Sequence, residues 1–202
     1  MKVLLTATCL AAILLPAFAP AANTNTYSNQ VLGISITKPG DWIFLTADQH
    51  VENLKRATLK DAELMKRLLE NPTPPLVGML KYPEPFDDIN PNVNITVAEG
   101  YRPTIDLSQI LGVLVASRQT NFYNFRVVIS PTNTTLFGRT AAFTKFYYDL
   151  KVPDGRRFPD WGEIWLVPHK DQVFIIIIEL RQDEKTGAHS EFDQILKSLK
   201  LD

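Results

Sequence analysis

Apolar residues run without a break from Phe174 to Ile178, and Glu179 and Arg181 close the run. β-Branched side chains are stiff at χ1 and favour the pleated backbone. An unbroken apolar run of this length predicts a strand covered on both faces, at the centre of a sheet. Glu163 to Val167 forms a second run, joined to the first by the polar turn His169-Lys170-Asp171-Gln172. The chain is therefore expected to hold a sheet centred here, with helices to cover it.

The other elements follow in order. Val31 to Ile36 alternates as a strand, Pro39-Gly40-Asp41 marks a turn, and Trp42 to Leu45 reads as the returning strand of a hairpin. Thr46 and Gln49 form a capping box opening one helix to about Glu70, with Val51, Leu54, Thr58, Ala62, Met65 and Leu69 on one stripe. The prolines at 72, 74 and 75 stop it. Leu76–Lys81 and Val93–Ala98 read as strands around a proline-punctuated loop. Asp106 with Gln109 predicts a second capping box and a helix to about Thr120. Phe125–Ser130 and Leu136–Leu150 read as a hairpin turning at Thr132-Asn133-Thr134, and Pro153-Asp154-Gly155 is a strong turn signal. A last helix is capped by Ser190 and carries Phe192, Ile195, Leu196 and Leu199 on one face. Tight turns imply antiparallel pairing. The expected class is α+β: an α/β/α sandwich whose central, mostly antiparallel sheet is covered by helices on both faces.

Three groups of motifs resemble the PsbP-like family. They are Tyr27, Gly33, Pro39 and Trp42 in YSNQVLGISITKPGDW, the small-residue stretch Gly138-Arg139-Thr140-Ala141-Ala142 before a long strand, and the closing helix from Phe192 to Leu199. The likeness spans most of the chain after the leader. It implies the same sandwich, shared by an extrinsic subunit of photosystem II, a yeast Ran-binding nuclear-import factor and many exported bacterial proteins. It implies no catalytic residue, and fold alone does not fix function.

Charge and composition narrow the classes. Residues 1–21 read as an export signal: Lys2, an apolar stretch from Val3 to Leu15, and the small-x-small site Ala19-Pro20-Ala21. The expected product is exported, periplasmic or secreted, with no membrane span after cleavage. Cys9 lies inside the apolar stretch, too early for a lipoprotein site. One domain, 22–202, remains, with no cysteine for a disulfide, a thiol nucleophile or a Cys-based metal site. The net charge of −1 falls to near −2 without Lys2, which argues against nucleic acid as a partner.

Motifs for chemistry are sparse. Asp88, Asn90, Asn92 and Glu99 match a calcium loop at four positions, but Val93 stands where that loop needs glycine. His50, His169 and His189 show no ligand spacing. No metal or cofactor is expected. Asp160, Glu163 and Glu179 flank the central strands as candidate paired carboxylates, with exposed strand ends as the plainer reading. Tyr148, Arg156, Arg157, Phe158 and Trp161 form a candidate partner surface, because interfaces concentrate aromatics with arginine; the plainer reading packs the aromatics under helices. The leading expectation is a non-catalytic domain that binds a protein or an envelope component. The alternatives are a small-ligand or lipid carrier with a pocket between sheet and helices, and a hydrolase with a spatially assembled site.

Overall fold

The computed structural model describes residues 25–202, so the expected export segment, 1–21, lies outside the described residues. The first strands are β1 (Thr26–Asn29), β2 (Ile34–Thr37) and β3 (Ile43–Phe44), followed by helices α1 (Ala47–Lys55) and α2 (Ala62–Glu70). Next come β4 (Val77–Leu80), β5 (Asn92–Glu99) and α3 (Leu107–Asn121). Four long strands follow: β6 (Tyr123–Leu136), β7 (Arg139–Lys151), β8 (Arg157–His169) and β9 (Gln172–Arg181). The chain ends with α4 (His189–Lys197) and β10 (Lys200–Leu201).

A seven-stranded antiparallel sheet runs in the order β3-β4-β5-β9-β8-β7-β6, which puts β9 at its centre. A smaller sheet, β1-β2-β10, is separate. Phe174, Ile176, Ile178 and Leu180 of β9 point to a core closed by α4 and the small sheet, where Phe192, Ile195, Ile34 and Ile36 meet them. Ile175 and Ile177 point the other way, towards Leu107 and Leu111 of α3. The central strand is thus covered on both faces, the α4 face more completely. The sandwich is the expected α+β architecture.

Several local expectations are corrected. The turn at residues 39–41 does not return the chain beside β2. Lys38 Nζ donates to the Trp42 carbonyl, and Trp42, 1 % exposed, packs edge-on against Phe192 at 5.6 Å. The chain leaves β2 for the large sheet, where β3 pairs with β4, while β2 pairs with β1 and β10. The single helix to Glu70 is two. Thr58 breaks it by donating its N–H to the Lys151 carbonyl at 2.8 Å, and Asp61 restarts it by accepting from Leu64 N at 2.9 Å. Thr132-Asn133-Thr134 lies inside β6, and the turn falls at Phe137-Gly138, both with positive φ. Asp106 does cap α3, through Ser108 N at 2.9 Å, but not as a capping box with Gln109: its carboxylate also accepts from Ser108 Oγ at 2.8 Å and Asn133 Nδ2 at 2.9 Å. α4 is capped at Ala188, not Ser190, because Glu191 Oε2 reaches back to Ala188 N at 2.9 Å.

Candidate functional site

α1 and α2 are amphipathic, yet neither buries a single residue fully. They form an arm across the end of the large sheet. Thr58 ties it to Lys151, and Arg56 ties it to Glu84 and the Phe86 carbonyl. Between arm and sheet lies a cavity of about 690 Å³. Leu54, Leu59, Met65 and Leu68 line it from the arm, and Phe122, Leu150 and Phe158 from the body. The apolar faces of the arm are half-buried because they look onto open space rather than onto packed side chains.

The cavity wall towards the sheet is polar. Cross-strand register places Tyr148 of β7 opposite Asp160 of β8, and Glu179 of β9 lies on the same face. The Tyr148 hydroxyl donates towards Asp160 Oδ2 at 2.7 Å and Glu179 Oε1 at 3.0 Å. Tyr148 and Asp160 are each 2 % exposed. Burial, reinforced by the charge of Glu179, pushes the Asp160 carboxyl well above the usual carboxylate range. Burial and both carboxyls likewise push the Tyr148 phenol up. Asp160 Oδ1 has no hydrogen-bond partner among the described residues.

Arg118, on the last turn of α3, completes this wall. Its guanidinium lies 3.8 Å from Glu179 Oε1 and over the rings of Phe122 and Phe146, 5.8 and 5.6 Å from their centroids. His50 lines the arm side, and burial holds its imidazole below the ordinary value against a hydrogen bond to the Thr73 backbone.

The structure separates the five residues of the candidate partner surface. Tyr148, Arg156 and Phe158 line the cavity. Arg157 is exposed and lies over the Tyr123 ring at 4.5 Å. Trp161, 3 % exposed, is on the opposite sheet face between Lys145 and His189. Arg156 is held by Asp87 at 2.8 Å and Asp154 at 2.7 Å. Of the three candidate carboxylates, Asp160 and Glu179 meet through Tyr148. Glu163 is on the other face, 3.3 Å from Lys145 and 3.2 Å from His189. The calcium-loop residues do not converge: Asp88 binds Arg181 at 2.6 Å, and Asn90 binds the Tyr82 backbone and Glu84. Among the described residues no three His, Cys, Asp or Glu side chains are grouped to hold a metal ion, and no helix is long and apolar enough to cross a membrane.

No family model matches the sequence, and no curated protein matches it. Solved structures do. LpqN of Mycobacterium tuberculosis, described as involved in cell envelope biogenesis, is 14% identical with a TM-score of 0.50 over 90% of this chain and 87% of that one. Cyanobacterial PsbP from Synechocystis is 13% identical with a TM-score of 0.50 over 93% of this chain and 99% of that one. The chain has the PsbP-like fold. The Ran-binding protein Mog1p of Saccharomyces cerevisiae is also similar, at a TM-score of 0.47 and 10% identity over 89% of this chain and 95% of that one. On this PsbP-like frame the cavity sits at the end of the sheet where β7, β8 and β9 meet the arm. Arg118 was not singled out by its sequence context. It stands on the stripe Leu111, Val115, Arg118, Phe122, whose spacing marks the buried face of α3.

Proposed function

We propose that this chain is an exported, non-catalytic binding domain that takes a small amphiphilic component of its envelope surroundings into the cavity between sheet and arm. The carrying observation is the pair of amphipathic helices whose apolar faces line a cavity of about 690 Å³ instead of packing. That volume falls within the range of small-molecule sites. Each methylene a ligand buries there contributes about 0.8 kcal/mol. The signal-like segment 1–21 and the envelope role given for LpqN support export. A hydrolytic reading needs a carboxyl free to serve both substrate and water, whereas Asp160 is buried against Tyr148 and Glu179 is engaged by the Tyr148 hydroxyl and by Arg118.

A second reading, docking of a protein partner, is favoured by the edge strand β6. Its Val127, Val128 and Ile129 are about two-fifths exposed, and Phe137 in the following turn is 57% exposed.

Native mass spectrometry of the protein from its own source, after gentle extraction, tests the proposal. The expected result is a bound small molecule that is lost in Met65→Trp, which fills the cavity. A second polypeptide in its place supports docking on β6. A bare chain overturns the carrier reading.

A further inference from the structure

The charged groups around the cavity are unevenly satisfied. Arg56 is taken by Glu84 and the Phe86 carbonyl, Arg156 by Asp87 and Asp154, and Lys55 by Glu52 at 2.7 Å. Asp88 is taken by Arg181. Arg118 differs. Its side chain is 18% exposed, yet among the described residues its guanidinium donates no hydrogen bond, and its single ion pair, to Glu179, is 3.8 Å long. A guanidinium has five N–H donors in a fixed fork. None of its nitrogens is fully buried without a partner, so the unused donors open onto the cavity. Stacking against Phe122 and Phe146 holds the group where it stands, so the fork is preorganised.

Resting on the carrier reading, we propose that the cavity binds a singly charged anionic amphiphile, its carboxylate paired with the Arg118 guanidinium and its alkyl chain laid along Leu54, Leu59, Met65 and Leu68. An amine head has no comparable seat, because Tyr148 already engages both Asp160 and Glu179 and Arg118 repels it. One negative charge suits the site better than two, since Glu179 stands beside the same guanidinium. The chemistry is that of a fatty acid or of another lipid with a single carboxylate head.

The test is isothermal titration of the full mature chain with decanoate, decanol, decylamine and acetate at one pH and salt concentration. Decanoate is expected to bind at least about tenfold more tightly than decanol or decylamine, the margin of a charge-assisted bidentate pair, and acetate not measurably. Arg118→Gln is expected to weaken decanoate by about tenfold or more. Glu179→Gln is expected to tighten it, because the substitution removes a like charge beside the head. Decanol binding as well as decanoate leaves the cavity as the site but overturns the anionic head. A preference for decylamine, or weaker decanoate binding in Glu179→Gln, overturns it too. No binding by any of the three long-chain probes overturns both the head and the carrier reading.

Discussion

The phenol oxygen of Tyr148 lies 2.7 Å from Asp160 Oδ2 and 3.0 Å from Glu179 Oε1, so one hydroxyl links two strands on either side of β8's own carboxyl. Asp160, raised by burial and by Glu179, keeps its proton where the unfolded chain has lost it. Folding then takes up a proton, and this contribution to stability shrinks as pH rises from the ordinary value near 3.8 towards the folded value. Asp160→Asn removes the linkage. The stability difference between wild type and Asp160→Asn should fall with rising pH, by up to about 1.4 kcal/mol per pH unit. Urea unfolding of both proteins from pH 5 to 8 measures it, and parallel profiles would contradict the assignment. Groups held low in both proteins, such as Asp183 at about 2 through Arg181, cancel in the subtraction.

Gly162 stands opposite Phe146 on β7 and Glu179 on β9. A Cβ there would come within 2.6 Å of the Phe146 ring. That ring is fully buried and stacked on Phe125 at 5.0 Å, so it has nowhere to go. Gly162→Ala should cost about 1–3 kcal/mol, the range for overpacking a core. An unchanged urea midpoint would mean that the ring yields.

Phe137 and Gly138 turn β6 into β7 with φ of 49° and 80°. Leu136 pairs with Arg139 across them, so this is a two-residue loop. Such loops favour Asn-Gly, and a phenylalanine in the left-handed region carries strain of about 1–2 kcal/mol. Phe137→Asn should raise the thermal midpoint by about 2–4 °C, given the size of the chain. A lower midpoint would show that the half-exposed ring contributes packing that outweighs the strain.

The two turns on either side of β7 show where sequence reading works. Pro153-Asp154-Gly155 uses ordinary turn chemistry and was legible. At Phe137-Gly138 the first position hides behind an aromatic, and Thr132-Asn133-Thr134 supplies a false turn that β6 carries in register opposite Phe143, Ala142 and Ala141. β9 was legible because a fully apolar strand has one place to go. The break at Thr58 was not, because Leu54 and Met65 stay in phase across it and the decisive bond comes from Lys151, far along the chain. At the cavity, Asp160 and Glu179 stood out as carboxylates beside the central strands. Their meeting through Tyr148 depends on register, which no local pattern encodes. Nothing local marks Arg118; the packing of α3 lays it over two rings.

Leu201 pairs with Ile34, so the small sheet joins the two ends of the described chain. A polypeptide emerging amino-terminus first offers β1 and β2 early, but the partner strand β10 arrives only after every other element has been made. Until then Ile34 and Ile36 have only β1 beside them, and α4 is not yet against them. Closing so long a loop is entropically expensive, and the expense is met only once the large sheet has already brought the ends together. The small sheet is therefore a completion step in chain assembly: one face of the molecule's larger core waits uncovered until α4 and β10 arrive.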